Sequence, residues 1–217
     1  MRDTTDGRGL NLSTLQRSAL VFAGGRASRL GGINKALIEI GGNTIVSRIL
    51  AALGPLVDER VLLTNDAALA DLQDVRLVFD PTPHAGVLPA LAAGLEAASG
   101  EVCLAVACDM PFISPRLFGF LLELQRTTDA DVVIPRTAGF LEPMHAVYRR
   151  APVLEAIRAA LGRGDQRMIS YFSDVRVREV ADDEWRPVDP SGTAFFNVNT
   201  PEDAAAAEAL ARAHPNA

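Results

Sequence analysis

The sequence predicts an α/β domain built on a mostly parallel central sheet, with helices covering both faces. Two observations carry this. Apolar runs at 18–22, 61–63, 75–79 and 102–107 are short and nearly continuous, as strands buried on both faces are. Helical segments alternate with them, the order that strand–helix–strand units impose. A third observation concerns placement: the Gly24-Gly25 pair, Asp80 and the segment Cys108-Asp109-Met110-Pro111 each follow such a run. In an open parallel sheet, ligands bind outside the carboxyl ends of the strands.

Taken in order, residues 18–22 form the first strand. Thr44 caps a helix whose Ile45, Val46, Ile49, Leu50 and Leu53 share one face, and Pro55 closes it. A short strand at 61–63, a short helix at 66–72 and a strand at 75–79 ending at Asp80 follow. Residues 81–86 are a loop, and 88–98 a helix of small residues suited to close packing on a sheet. The run 102–107 is the most continuous strand. Ser114-Pro115 starts a helix with cap and first-turn proline in the expected order. Strands are expected near 132–134 and 144–148. Phe195, Phe196 and Val198 suggest another, on which Asn197 and Asn199 would face the same side. Thr200-Pro-Glu-Asp203 then opens a capped helix through the alanine run. Neither a repeat nor a linker interrupts the pattern. One domain is expected over 17–213, with 1–16 a disordered lead-in.

The chain has 217 residues, 48% hydrophobic and 22% charged, which is ordinary for a soluble protein able to bury a full core. A net charge of −6 argues against a general nucleic-acid binder. Yet residues 7–38 contain no acid and carry Arg8, Arg17, Arg26, Arg29 and Lys35. A glycine-rich loop after a strand, flanked by cations, is an anion site, and a phosphate chain is its natural guest. The spacing matches neither a Walker A loop nor a strict dinucleotide fingerprint. Cys103 and Cys108 are five apart, which is no metal or redox spacing, and are expected as free buried thiols in a reducing cytoplasm. His84, His145 and His214 lack metal spacing too. Neither a membrane span nor a signal peptide is expected.

Asp109, at a strand end, is the candidate ligand of a hard divalent cation, and Mg²⁺ prefers one or two carboxylates plus substrate phosphates. Asn199 offers a second hard oxygen. Lys35 and Arg29 are the candidate electrostatic catalysts, the lysine neutralising phosphate charge and the arginine clamping a phosphate.

The segment from Phe22 to Lys35 (F-A-G-G-R-A-S-R-L-G-G-I-N-K) resembles the L-A-G-G-x-x-x-R-M-G-G-x-D-K signature of the molybdenum cofactor guanylyltransferases. Cys108-Asp-Met-Pro111 is similar to that family's C-D-x-P element. Glu142-Pro-Met-His-Ala-Val-Tyr148 is similar to its x-P-x-x-A-L-Y/V strand, and Phe195 to Glu202 to its F-x-N-x-N-T-P-E terminus. The resemblance implies a Rossmann-like three-layer fold and a reaction: Mg-GTP and molybdenum-bound molybdopterin give the guanine dinucleotide cofactor and pyrophosphate. It implies that Phe22, Ala23, Gly24 and Gly25 contact the nucleotide, that Lys35 binds its phosphates, and that Asp80 and either Thr64 or Asn65 lie beside it. Asp109 ligates Mg²⁺ with Asn199, and Gly164-Asp-Gln-Arg167 falls on the pterin side. A labile product implies direct transfer among molybdenum-insertion proteins and recipient molybdoenzymes. Departures are Phe22 for leucine, Asn34 for the aspartate before Lys35, and a loop at 84–90 that only partly matches G-P-L-A-G. They leave open a cytidylyltransferase, a transferase for a sugar or other small-molecule phosphate, and a GTP-binding regulator without catalysis.

Overall fold

The computed structural model describes residues 16–24, 34–79 and 86–213. The expectations for Gly25, Arg26, Arg29, Asp80, His84 and His214 therefore lie outside the described residues. The strands are β1 (Arg17–Phe22), β2 (Glu39–Ile40), β3 (Asn43–Thr44), β4 (Glu59–Leu63), β5 (Arg76–Val78), β6 (Val102–Ala107), β7 (Val132–Thr137), β8 (Phe140–Leu141), β9 (His145–Arg149) and β10 (Val177–Val180). The helices are α1 (Ile45–Leu53), α2 (Val87–Ala97), α3 (Pro115–Thr128), α4 (Arg150–Gly162), α5 (Asp182–Trp185) and α6 (Pro201–Ala213).

The main sheet runs β10-β7-β9-β6-β1-β4-β5, with β8 added to β7. From β6 through β1 and β4 to β5 every pairing is parallel. The antiparallel strand β9 enters between β6 and β7. A small antiparallel hairpin of β2 and β3 stands apart. Alternation along the strands divides the core. Ala19 and Val21 of β1, with Leu104 and Val106 of β6, face α1, α3 and α6. Leu20, Cys103 and Ala105 face α2 and α4. Helices on both faces of a mostly parallel sheet are the three-layer α/β sandwich expected from the sequence. Gly94 is why α2 lies so close: a Cβ there would come within 3.2–3.3 Å of Leu20, Leu63 and Phe22.

The caps are local chemistry. Thr44 Oγ1 accepts from Ser47 N at the start of α1, and Ser114 Oγ from Leu117 N at the start of α3, with Pro115 in the first turn. Three expectations change. The segment 66–72 forms only a 3₁₀ turn, Ala67–Leu69, because Leu69 alone is buried and so little burial cannot hold a longer helix. The strand expected at 144–148 runs one residue later. Residues 195–198 are not a strand: a 3₁₀ turn, Thr193–Phe195, leads into extended chain, tied to the strand-end loop by one backbone bond, Val198 N to Asp109 O (2.7 Å).

Candidate active site

The chain order turns around β1. It proceeds from β1 to β4 and β5 on one side, then returns to β6 on the other. That switch point is where a crevice opens at the carboxyl ends of an α/β sheet. A pocket of about 130 Å³ lies there, lined by Phe22, Ala23, Asn34, Lys35, Ala107, Cys108 and Asp109.

Backbone bonds continue the sheet past the strand ends. Cys108 N donates to Phe22 O (3.0 Å) and Ala23 N to Leu63 O (2.8 Å). Ala23 O accepts from Thr64 Oγ1 and from Asn34 Nδ2, both at 3.2 Å. Asp66 joins this knot: its N donates to Thr64 Oγ1 (3.1 Å) and its Oδ2 accepts from Asn34 Nδ2 (3.1 Å). Thr64 is thus buried and spends its hydroxyl on the loop, whereas Asn65 beside it is exposed. Asn34 also accepts from Ala36 N, starting the 3₁₀ turn Lys35–Leu37. Its side chain serves Ala23, Ala36 and Asp66, so its exchange for aspartate in the family signature acts on Asp66 rather than on Lys35. Among the described residues, Gly24 has neither a positive φ nor a heavy atom beyond its chain neighbours within 4 Å of where a Cβ would sit, so neither strain nor crowding from them demands this glycine.

Lys35 joins the other two elements. Its Nζ lies 3.4 Å from Asp109 Oδ2 and donates to Asn199 Oδ1 at 2.5 Å. Asp109 Oδ1 is buried and has no hydrogen-bond partner among the described residues. The structure brings Lys35, Asp109 and Asn199 together in one cluster, although 74 and 164 residues separate the partners of its two contacts. Asn197 is not part of it, since its Nδ2 turns back to Phe195 O (3.1 Å).

Neighbouring elements hold these groups in place. On α1, Arg48 Nε donates to Pro111 O (3.0 Å), and its guanidinium stacks 5.2 Å over the Phe112 ring, pinning the chain just after Asp109. On α6, Asp203 Oδ2 accepts from both Asn199 N and Thr200 N at 2.9 Å, while Asp203 N donates to Thr200 Oγ1 (3.1 Å). This is a capping box with an aspartate at the third position. The Asn199 backbone bond, above all, lowers the Asp203 pKa. Below the site, His145 is fully buried between Phe118 (4.6 Å between centroids) and Phe195 (4.8 Å).

Sequence reasoning missed three contributors: Asp66, Asp203 as a clamp on Asn199, and Glu142. Burial, and then the negative charge of Asp109, raise the Glu142 pKa, so this carboxyl faces the same region. The register could have found it: β6 and β9 are antiparallel, Ala107 N donates to Met144 O, and two further steps set 109 against 142. Among the described residues, Gly164 to Arg167 bond only to near neighbours in sequence, as Arg167 Nη2 does with Asp165 Oδ2 (2.5 Å). Both cysteines are free and buried, and burial pushes the Cys103 thiol up to about 12.

Two hard oxygens, Asp109 Oδ2 and Asn199 Oδ1, converge on one cationic point beside the pocket. That donor set suits Mg²⁺, which completes its shell with phosphate and water. Among the described residues, no helix is long and apolar enough to cross a membrane.

Comparison with known proteins agrees with this arrangement. The family described as "MobA-like NTP transferase domain" matches residues 19–179. A probable molybdenum cofactor guanylyltransferase of Pelotomaculum thermopropionicum is 34% identical over 198 residues, covering 91% of this chain and 94% of that protein. One from Methanosarcina acetivorans is 34% identical over 202 residues, covering 88% and 89%. Among solved structures, the molybdopterin-guanine dinucleotide biosynthesis protein A of Archaeoglobus fulgidus superposes with a TM-score of 0.76 at 22% identity, covering 90% of this chain and 99% of that one. The 2-C-methyl-D-erythritol 4-phosphate cytidylyltransferase of Thermus thermophilus gives 0.69 at 23% identity, covering 91% and 100%; at such identities the likeness is one of fold. The family match over most of the sheet, and relatives aligned along nearly their whole length, place this chain in the MobA-like NTP transferase family, as a nucleotidyltransferase.

Proposed function

We propose that the chain transfers GMP from Mg-GTP to molybdenum-bound molybdopterin, giving the guanine dinucleotide form of the cofactor and pyrophosphate. The observation that carries this is the convergence of Lys35, Asp109 and Asn199 beside a strand-end pocket, in a chain whose full-length relatives bear the guanylyltransferase name.

The chemistry asks little of covalent catalysis. An oxygen of the pterin's terminal phosphate attacks the α-phosphorus of GTP. The bond from that phosphorus to the β-bridging oxygen breaks, and pyrophosphate leaves in line. A phosphate monoester is mostly dianionic at neutral pH, its second pKa being about 6, so the nucleophile needs no base. What remains is positioning and charge stabilisation. The backbone of Phe22, Ala23 and Gly24 borders the nucleotide. Asn65 and Asp80 flank it, while Thr64 shapes the loop. Lys35 neutralises charge on the phosphates, and Arg29 clamps them. Asp109 and Asn199 hold Mg²⁺, which supplies further charge neutralisation when bound.

Thermal denaturation with Mg²⁺ and each of GTP, CTP, ATP and UTP tests the base. A ligand of the native state raises stability by mass action, by about 2.7 kcal/mol at one hundred times its Kd. GTP is expected to raise Tm and the others not. A rise with CTP alone would reassign the chain as a cytidylyltransferase.

A further inference from the structure

Lys35 Nζ donates to Asn199 Oδ1 at 2.5 Å and lies 3.4 Å from Asp109 Oδ2. These are the two oxygens assigned above to the metal, and the inference rests on that assignment. The lysine and aspartate side chains are 18% and 25% exposed, so this contact is only partly shielded from water. The other carboxylate oxygen, Oδ1, is buried, which leaves Oδ2 as the approach from solvent. A divalent cation bound to both oxygens would compete with the ammonium for the same two atoms. The two cations cannot share that place. Lysine can vacate it, because its charge rides on a flexible four-carbon stem, and the pocket it borders extends to Ala23 past the end of β1.

We propose that the Lys35 ammonium and the divalent cation exchange at one position, and that the phosphates of the nucleotide draw the ammonium away. The free protein then binds metal weakly, and metal enters with or after the nucleotide. The coupling is reciprocal: the metal raises nucleotide affinity by the factor by which nucleotide raises metal affinity. An enzyme built this way keeps a charged, protein-bound place-holder on its carboxylate until the substrate arrives.

The test is Mn²⁺ titration of the full chain, followed by the electron paramagnetic resonance signal of free Mn²⁺, with and without GTP. Lys35→Met removes the charge at similar length, Lys35→Arg keeps it, and Asp109→Asn subtracts the manganese that GTP holds by itself. Without nucleotide, Lys35→Met is expected to bind one Mn²⁺ on the order of ten-fold more tightly than wild type, within the usual range of site coupling. Lys35→Arg should stay weak, and GTP should tighten Mn²⁺ binding to the wild type. The gain should persist in about 0.5 M KCl, where a merely long-range field is screened; its loss there overturns the exchange. Thermal melts check folding, and Lys35→Gln repeats the measurement should Lys35→Met not fold. Equal Mn²⁺ affinity in wild type and both neutral variants, with GTP still recruiting Mn²⁺, would overturn the exchange and leave the metal assignment standing. Failure to see Asp109-dependent Mn²⁺ in any variant, with or without GTP, would overturn both.

Discussion

Asn34 is a single atom's difference from the aspartate of the family signature, yet its amide nitrogen is committed. It donates to Ala23 O and to Asp66 Oδ2 at 3.2 and 3.1 Å, and the residue is buried. Asn34→Asp would set an acceptor against a carbonyl and a carboxylate. Two amide hydrogen bonds are lost and a carboxylate is set against Asp66, at a cost of about 1–3 kcal/mol, so the variant should unfold at lower urea. Adding Asp66→Asn should recover part of the loss, because the new amide can donate to the new carboxylate. A single variant as stable as wild type would show that the knot at Ala23 carries no energy. His145 gives a second residue-scale expectation. Burial lowers its pKa from 6.5 to about 3, and among the described residues neither ring nitrogen has a hydrogen-bond partner. The native state thus refuses a proton that the unfolded chain accepts below pH 6.5. Its stability falls on acidification by up to about 1.4 kcal/mol per pH unit in that window, until the folded-state value is reached. His145→Phe, packed between Phe118 and Phe195, should remove that slope between pH 6.5 and 5. Parallel pH–stability curves for the two proteins would refute the assignment. The sequence shows His145 only as a lone strand histidine without metal spacing; its ring partners come from α3 and from a segment fifty residues onward.

At the scale of elements, the junction between residues 195–200 and α6 decides where Asn199 sits. Asp203 holds the backbone N–H of Asn199, and that bond fixes the side chain reaching Lys35. Asp203→Ala should leave the chain folded but loosen Asn199. Groups that orient a metal ligand typically change metal affinity or activity by about 10- to 100-fold. The expected reading is a rise of that order in the Mg²⁺ concentration giving half-maximal activity; an unchanged requirement would separate the cap from the site. This cap was legible in Thr200-Pro-Glu-Asp203, because capping is local chemistry. So were α1, α2, α3 and the buried strands β1, β4 and β6, whose patterns are continuous. Other elements gave weaker signals. Helix α4 begins directly at the end of β9, with no capping side chain and with Pro152 in its first turn. Strand β10 is a four-residue edge strand with two charged residues, Arg178 and Glu179. The stretch 195–198 looked like a strand from its aromatic residues. Those rings instead fill the face beneath it, Phe195 against Trp185 (4.8 Å) and Phe196 against Phe112 (6.1 Å). Propensity named the residue types there, but tertiary packing chose the backbone.

Over the whole molecule, topology turns scattered residues into a site. The order β9-β6-β1-β4 sets the ends of β6 and β1 side by side, and so brings the 108–111 segment to Phe22 and Ala23 at the end of β1. The fold class was readable because alternating continuous strands and helices leave few ways to bury both faces of a sheet. The Lys35–Asp109 and Lys35–Asn199 contacts follow from that order together with the motifs. Sequence alone did not show Asp66, which is placed by its bonds to Asn34 and Thr64, and it shows Glu142 only once the β6–β9 register is known. The central claim is a Mg-dependent guanylyl transfer centred on Asp109. The most direct measurement incubates the purified protein with Mg²⁺, molybdenum-bound molybdopterin and either GTP or CTP, and quantifies pyrophosphate and the pterin dinucleotide. The account predicts equimolar pyrophosphate and guanine dinucleotide from GTP, little product from CTP, and a loss of at least about 100-fold in Asp109→Ala. Product from CTP alone, no product from either nucleotide, or near-normal turnover in Asp109→Ala would contradict it.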